Sequence, residues 1–574
     1  MTHTIPSTPS AIDRIADSYV EKATALNPLL ASGLGVPGHD RDMPDLSPAG
    51  LDAEADLART TLADLDDAEA AARDAGEELS QNDRLTLAAM RERLGLDLEM
   101  HEKLIPHSQV NNITSPIQGL RAVFDQMPTT GDTDAEAVEN WDVIRERLTR
   151  IPAALEGFAE SLRFAADKGV LSAQRQLRIG AEEARGFAAA DGFFAQLITQ
   201  APSSDEQLAA GLRDAADQAR GAYAQLADVL DELHPSAPEA DAVGEDAYRL
   251  HSRAYIGAEI DLEDTYRWGV RELLGILEEQ RQIAARINEH YGNGGGDDVD
   301  AAYASLNEDE AWLVHGSDNL KAWMQEKSDA AVAALADEHF DIPEQLHTLE
   351  CMIATTGSGG IYYTPPSEDL TSRPGRMWWD VPEGVTAFHT WKETTTVYHE
   401  GVPGHHLQLG TQTMQAGLGR LNRWRALMCW ISGYGEGWAL YAERLMDELG
   451  FLAEDAERLG MLSEQRMRAG RVVLDIGLHT GRPVPEEFGG GEWTYEKAWE
   501  FMTEFWGLGE EHRRFELHRY LGWPGQAPSY KVGQRVWERL RAESPLPSRQ
   551  FHDRTLALGA LPLSILEDAV KEMR

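Results

Sequence analysis

The chain of 574 residues contains little cysteine, no long apolar run and no cluster of basic residues. Its two cysteines, Cys351 and Cys429, cannot form a disulfide framework, so we expect a reducing compartment and two buried core thiols. No segment approaches the roughly 18 uninterrupted apolar residues of a membrane-spanning helix, and no basic stretch followed by an apolar one marks a signal peptide. These absences predict a protein of the cytoplasm.

Positive charge is also scarce. The chain has 52 lysines and arginines against 97 aspartates and glutamates, which gives a formal net charge of −45. Binding to nucleic acid requires clustered cations that displace phosphate counterions, so we expect no nucleic-acid partner. The same acidity favours solubility and opposes association with anionic membranes. No pattern in the sequence indicates an oligomeric state.

Helical periodicity dominates the chain. From about residue 12 to about residue 335, amphipathic stretches rich in Ala, Leu, Glu and Arg alternate with short breakers, which predicts successive helices. The segments Ile361–Thr364 and Met377–Val381 are instead rich in β-branched and aromatic side chains, and they predict a short β-hairpin. Helical patterns resume at about Trp391 and continue to the C-terminus.

The fold class expected from this pattern is mainly α. Most of the tryptophans, histidines and glycines that suggest chemistry lie between residues 355 and 535. We therefore expect a helical N-terminal part over residues 1–350 and a metal-binding catalytic part over residues 351–574, intertwined as one structural unit.

The segment VYHEGVPGHHLQ is a variant of the zinc signature H-E-x-x-H, in which two histidines one helical turn apart bind the metal. Here Pro403 stands four residues after His399, and the next histidines are His405 and His406. Because Pro403 has no N–H to bond the carbonyl of His399, a regular helix is not expected. A two-residue bulge around Pro403 would return His405 to the metal, so the spacing favours His405 and leaves His406 as the alternative.

A third ligand is available in the later segment GYGEGWALYAE. Glu436 in this segment would add a carboxylate to two histidines, which completes three protein ligands and leaves a fourth position for water. The glycines that flank Glu436 allow backbones to approach closely. Glu443, seven residues further on, falls on the same helix face and either orients a ligand or is structural.

Together, HEGVPGHHLQ and EGWALYAE resemble the hallmark of a large bacterial family catalogued as a domain of unknown function. At the level of motifs the chain also resembles the gluzincin peptidases: first the carboxypeptidase Taq family, and more distantly angiotensin-converting enzyme and thimet oligopeptidase. Their signature ends in a GHAL-type stretch, to which Gly404–Leu407 is similar. The resemblance aligns His405 with the second ligand and places a two-residue insertion before Gly404.

The resemblance implies a large helical two-lobed cleft fold with a small β-hairpin at the active site. Ala527–Gly533 is similar to the PSYxLG-type stretch of carboxypeptidase Taq proteins, in which a tyrosine faces the metal, so Tyr530 is the matching position. An arginine-containing strand precedes the metal helix in those proteins. Arg373 and Arg376 are therefore candidates to bind the terminal carboxylate of a substrate.

The chemistry expected of such a site is hydrolysis by a metal-activated water. Glu400 would take the proton of the water and deliver it to the leaving amine, while Tyr530 would donate a hydrogen bond to the oxyanion. His406 is a candidate substrate contact. His479 is a further catalytic candidate because it ends an i, i+4 series of ionisable residues on one helix face, although ion pairing at a helix surface explains that spacing as well.

We therefore expect one zinc ion per chain and a peptidase that hydrolyses short peptides, which the resemblance extends to a carboxypeptidase. A hydrolase of a non-peptide amide or ester would use the same metal and water. The alternative from another class is a non-catalytic helical protein with a residual metal site. An open coordination position beside Glu400 argues against that alternative, because structural zinc sites are closed.

Overall fold

A computed structural model describes residues 9–202, 205–336, 338–354, 360–367 and 370–573. Within these ranges the protein is mainly α-helical, which confirms the expected class. The chain divides into two compact units, one comprising Pro9–Val243 with Arg514–Trp523 and the other comprising Gly244–Arg513 with residues 524–573. Residues 244–350, which the sequence pattern assigns to an N-terminal part, therefore belong to the unit that contains the candidate site. The two-lobed cleft arrangement stays a prediction.

The unit built on Pro9–Val243 is a helical assembly. Its helices begin at the capping signals that the sequence carries: Ser10 and Ser80 each accept the N–H of an aspartate three residues on, and that aspartate bonds back. Trp141, Phe158 and Tyr223 lie fully buried in its core. The helices are α1 (Ala11–Leu26), α2 (Pro28–Leu34), α3 (Pro48–Ala75), α4 (Gln81–Glu102), α5 (Ile105–Ser108), α6 (Pro116–Ala122), α7 (Asp134–Ala166), α8 (Gln174–Ala188), α9 (Phe193–Leu197) and α10 (Glu206–Leu233).

The remaining helices follow from Gly244 onwards, and the longest of them, α12 and α19, pack against each other. No helix in the described ranges is both long and apolar enough to span a membrane. The helices are α11 (Glu245–Ile256), α12 (Leu262–Tyr291), α13 (Val299–Glu308), α14 (Ser317–Leu335), α15 (Thr390–Glu400), α16 (His405–Gly417), α17 (Arg423–Leu427), α18 (Ser432–Glu448), α19 (Asp455–Thr480), α20 (Tyr495–Phe505), α21 (Glu510–Gly522), α22 (Ser529–Glu543), α23 (Ser548–Leu556) and α24 (Leu563–Glu572).

Two small sheets lie between α13 and α15 in the chain. Their strands are β1 (Leu313–His315), β2 (Leu349–Ala354), β3 (Ile361–Thr364), β4 (Gly375–Asp380) and β5 (Ala387–His389). The predicted hairpin is confirmed, because β3 and β4 pair antiparallel with Tyr362 opposite Trp378. The sequence did not predict β2, which pairs in parallel with β4 and completes a sheet of order β2-β4-β3, nor the antiparallel pair of β1 with β5.

A compact apolar cluster joins the three-stranded sheet to α15, the helix that carries His399. Leu320 and Met324 of α14, Cys351 of β2 and Val397 of α15 are buried in this cluster together with Met377 of β4. Cys351 and Cys429 are both fully buried, as expected of core thiols. The sheet thus fixes α15, whose last two residues are His399 and Glu400.

Candidate metal centre

The helix that carries His399 stops at Glu400, and the next helix starts at His405. Across the break, the N–H of Gly404 donates to the carbonyl of Tyr398 at 3.1 Å. A Cβ atom on Gly404 would lie only 1.9 Å from the carbonyl oxygen of His399, so this approach requires glycine. The interruption predicted around Pro403 is confirmed, but it is a break between two helices rather than a bulge within one.

The break is stabilised from α18. The indole Nε1 of Trp438 donates to the carbonyl of Pro403 at 2.9 Å, and Trp438 itself is fully buried. Because the same helix carries Glu436, this bond ties the segment between the two histidines to the element that carries the carboxylate. The three candidate ligands are therefore positioned by one connected piece of structure.

Glycines fix the other side of α18, as the sequence predicted. A Cβ on Gly437 would lie 2.5 Å from the Cα of Gly533, and a Cβ on Gly533 would lie 2.0 Å from the carbonyl oxygen of Gly433. These close contacts press α18 against α22, because the obstructing atoms are backbone and cannot turn aside. Glu436 lies directly beside this crossing.

The side chains of His399, His405 and Glu436 converge so that one ligand atom from each lies within 4.8 Å of the others. The Nε2 of His399 is 3.4 Å from Oε2 of Glu436, and the Nε2 of His405 is 3.6 Å from the same oxygen. Both separations are long for a hydrogen bond. They are close to the roughly 3.4 Å edge of a tetrahedron whose metal–ligand bonds are about 2.1 Å.

The donor set therefore fits a zinc ion. Two imidazoles and one carboxylate, with a fourth position left for water, are the ligands of catalytic zinc sites. The ring of His405 packs against the ring of His399 at an interplanar angle of 87°, with 5.0 Å between the ring centroids. Its Nδ1 is buried and has no hydrogen-bond partner among the described residues, so packing rather than a hydrogen bond orients this ring.

His399 is oriented by a buried carboxylate. Its Nδ1 lies 2.8 Å from Oε1 of Glu443, which is 1% exposed. The other oxygen of Glu443 accepts a hydrogen bond from Nε2 of Gln465 at 3.3 Å, and Oε1 of Gln465 accepts one from Nζ of Lys531 at 2.6 Å. Lys531 is itself buried and forms an ion pair with Glu272 at 2.9 Å. A hydrogen-bonded chain thus runs from a metal ligand to a buried ammonium.

The charges of the site agree with this arrangement. Burial alone would lower the pKa of His399, but Glu436 and Glu443 raise it to about 10. Burial would raise the pKa of Glu436, yet its contacts with His399 and His405 hold it far below its usual range. Burial raises the pKa of Glu400, and the nearby charges of both histidines oppose that rise. The two carboxylates therefore favour a positive charge where the three side chains converge.

His406 points away from this cluster. Its Nε2 is 2.9 Å from the carbonyl oxygen of Leu346, and its Nδ1 is 2.9 Å from the hydroxyl of Tyr363. A carbonyl only accepts, so Nε2 carries the proton and Nδ1 accepts from Tyr363. Burial lowers the pKa of His406 to about 4, which keeps this ring neutral. Both ring nitrogens are used inside the protein and the residue is fully buried, so the structure brings it neither to the ligands nor to an open surface.

Two predicted catalytic residues differ in their relation to the candidate ligands. Glu400 immediately follows His399, is buried, and feels the charges of all three ligands. Tyr530 lies in the first turn of α22, one turn before Gly533, and the guanidinium of Arg471 lies 5.3 Å from the centre of its ring. Tyr530 is partly exposed.

The contacts of His479 are with residues other than the candidate ligands. It lies fourteen residues after Gln465 on α19, which corresponds to about 21 Å along the helix axis from the residue that contacts Glu443. Its ring stacks on Tyr248 with 5.8 Å between centroids, and its Nε2 is 3.9 Å from Asp475. The face that His479 shares with Asp475 is buried rather than at a helix surface.

The two candidate arginines are engaged within the sheet and its loop. The Nε of Arg376, on β4, is 2.7 Å from Oε2 of Glu350 on β2. Arg373 donates from its Nη2 to the carbonyl of Pro365 at 2.7 Å. Neither contact is to a metal ligand, and the role of these arginines in binding a substrate carboxylate stays a prediction.

Sequence reasoning left one residue of the site undecided and missed three others. Glu443 was left between a ligand-orienting and a structural role, and the structure assigns it the first. Gln465 and Lys531 gave no local signal, because their importance depends on α19 and α22 packing beside α18. Trp430, which lies 6.1 Å from the ring of His405, was not singled out either. A tryptophan between two apolar residues just before the motif of Glu436 was the available clue.

Comparison with known proteins places the chain in context. The family described as "Bacterial protein of unknown function (DUF885)" matches residues 28–570. No curated protein matches the chain. The crystal structure of a "putative lipoprotein" from Colwellia psychrerythraea is similar with 22% identity and a TM-score of 0.79, and 99% of each chain is covered. A "putative lipoprotein of unknown function" from Shewanella oneidensis has 15% identity and a TM-score of 0.72, with 98% of this chain and 99% of that chain covered.

At these identities the likeness establishes the fold alone. The descriptions of the two structures also give no support to the cytoplasmic location expected from the sequence.

Proposed function

The chain belongs to the bacterial DUF885 family of unknown function, and we propose that it is a zinc-dependent peptidase that hydrolyses short peptides. The observation that carries this proposal is the convergence of His399, His405 and Glu436 with Glu443 bonded to the far nitrogen of His399. A carboxylate behind a histidine ligand fixes the ring and raises its basicity, and this arrangement accompanies metal-binding histidines.

His399, His405 and Glu436 would hold the ion. A zinc ion in such a site supplies Lewis-acid chemistry, which acidifies a water and polarises a carbonyl. Because three protein ligands leave a coordination position open, the site suits catalysis rather than a purely structural role.

The other steps belong to residues of the chain. Glu400 immediately follows a candidate ligand and would accept the proton of the attacking water and return it to the leaving nitrogen. Tyr530, in the first turn of α22, would donate a hydrogen bond to the oxygen that becomes negative in the transition state. Glu443 would hold the His399 ring with its Nε2 free to bind the ion.

A peptide substrate is favoured over other amides and esters by the position of β3. This strand is at one edge of the three-stranded sheet, and in the described ranges it pairs only with β4. Tyr363 of β3 contacts His406, the neighbour of the ligand His405. An extended peptide that adds to this edge would therefore lie beside the segment that carries the two adjacent histidines.

The test is a digest of a mixed peptide library by the zinc-loaded protein, with the cleavage ends identified by mass spectrometry. We expect cleavage that stops on chelation and returns with zinc. Glu400→Gln should keep the zinc and cleave at least about 100-fold more slowly, because it loses the general base. Zinc-loaded wild-type protein that leaves every peptide intact would contradict the proposal. Equal turnover by wild type and Glu400→Gln would contradict the assigned mechanism.

A further inference from the structure

Trp430 is 42% exposed although the residues on both sides of it are buried. Cys429 and Ile431 are 0% and 1% exposed, so the backbone is anchored on both sides and only the indole projects into solvent. An exposed single apolar residue is ordinary on a protein surface. This one is distinctive because of what lies next to it.

The indole lies beside one candidate ligand and beside the residue that precedes another. Its ring centre is 6.1 Å from that of His405, at an angle of 51°. It also lies over the start of α18, because a Cβ on Gly435 would come within 2.1 Å of the Cη2 atom of Trp430. Gly435 directly precedes Glu436. Glycine is disfavoured inside helices, but a side chain at this position of α18 would clash with the indole of Trp430.

We propose that Trp430 forms one wall of the substrate site and selects substrates that carry an aromatic or bulky apolar group next to the bond that is cleaved. This inference rests on the proposed function, since it places the substrate at the zinc ligands. An apolar group that covers the exposed indole removes apolar surface from water, and an aromatic group adds a ring–ring contact. A cation could also bind the face of a tryptophan, but a zinc ion held by His405 would repel it.

Small hydroxamates test this wall without requiring turnover. A hydroxamate binds zinc through its two oxygens, so the group attached to it can be changed while the chelating group is kept. We would measure the dissociation constants of acetohydroxamate and benzohydroxamate with the zinc-loaded full chain by calorimetry. The quantity of interest is the preference, which is the ratio of the two constants, compared between wild type and variants.

The variants are Trp430→Ala, Trp430→Phe and Leu418→Ala. Leu418 is a matched control, because it is 47% exposed and follows the last residue of α16, about 20 Å along that helix from His405. We expect wild type to prefer benzohydroxamate by about 5- to 10-fold. Trp430→Ala should lose most of this preference, whereas Trp430→Phe and Leu418→Ala should keep it. The zinc content and circular dichroism of each variant establish that the site is intact.

The outcomes separate the inference from the function on which it rests. An unchanged preference in Trp430→Ala would overturn the inference, as would an equal loss of affinity for both hydroxamates, which would make Trp430 a shield of the metal. A wild-type preference for a hydroxamate with a cationic arm over benzohydroxamate would overturn it too. Failure of the wild-type chain to bind zinc would contradict the proposed function itself.

Discussion

The Nδ1 atom of His399 lies 2.8 Å from Oε1 of Glu443, and this pair decides which nitrogen of the ring can bind a metal. A carboxylate accepts hydrogen bonds, so the proton of a neutral ring is on Nδ1 and the lone pair is on Nε2. The same Nε2 is the atom that lies 3.4 Å from Oε2 of Glu436. Glu443 therefore prepares His399 for an ion before the ion arrives.

We predict that Glu443→Gln weakens zinc binding by about 10-fold or more, because the ring loses its charged acceptor. Competition with a chromogenic chelator measures this directly. Glu448→Gln is the matched control: Glu448 is on the same helix, but its side chain is 56% exposed and it pairs with Arg541. The control should bind zinc as wild type does. Equal affinities for Glu443→Gln and wild type would remove Glu443 from the site.

The hydrogen bonds of Glu443 continue through Gln465 to Lys531, and a double variant tests whether Lys531 acts through Glu443. The ammonium has donors only, so the oxygen of Gln465 must face it and the NH2 group must face Glu443. Lys531→Met removes the donor to the amide oxygen, so that only the bonds to Glu443 and the carbonyl of Leu440 hold Gln465, and should weaken zinc binding by about 10-fold or less. Because Lys531 acts through Glu443, adding Lys531→Met to Glu443→Gln should cost little more than the single change. Fully additive losses would show that Lys531 acts independently.

The two adjacent histidines should respond differently to substitution. His405→Ala removes a ligand and should abolish stoichiometric zinc. His406→Ala should keep zinc and lower the free energy of unfolding by about 1–3 kcal/mol, since it leaves the carbonyl of Leu346 and the hydroxyl of Tyr363 without their partner. Zinc analysis with chemical denaturation distinguishes the two. Zinc lost only in His406→Ala would reverse the assignment of the ligands.

Much of the fold could be predicted from local pattern, because amphipathic periodicity and capping depend on residues close in sequence. The β3–β4 hairpin carried enough β-branched and aromatic residues to be recognised. Strand β2 could not be predicted from its sequence, LECMIA, which is a short and largely apolar run. Its parallel partner, β4, begins 21 residues after β2 ends, so the pairing leaves no local signal. Nor does any local signal mark the division of the chain at Val243, which depends on contacts between distant segments.

The candidate site divides in the same way. Pro403 has no backbone N–H to donate within a helix. Because this depends on one residue alone, an interruption between His399 and His405 could be predicted from the sequence. Its final form was not, because Trp438 binds the carbonyl of Pro403 from another helix. The choice between His405 and His406 likewise depends on Leu346 and Tyr363, which are remote in sequence.

Acid sensitivity is predicted from a buried histidine away from the site. His552 is 2% exposed and its Nε2 is 2.7 Å from the hydroxyl of Tyr441; burial above all lowers its pKa from 6.5 to about 3. Below pH 6.5 the unfolded chain binds a proton that the folded chain excludes. The stability that the neutral ring contributes is therefore present above pH 6.5 and is lost as the pH falls towards 3.

His552→Gln removes this titration. We expect the dependence of the unfolding free energy on pH between 6.5 and 4.5 to fall by up to about 1.4 kcal/mol per pH unit in this variant. Denaturant titrations at a series of pH values give the slopes. A slope in His552→Gln as steep as that of wild type would mean that the ring is protonated in the folded protein.

The central claim is that His399, His405 and Glu436 form one zinc site, and calorimetric titration of the metal-free full chain with zinc tests it most directly. The account predicts binding of one zinc per chain in wild type. It also predicts loss of that binding in His399→Ala, His405→Ala and Glu436→Ala, with circular dichroism unchanged. A folded wild-type chain that takes up no zinc, or a stoichiometric zinc that survives in all three variants, would contradict it.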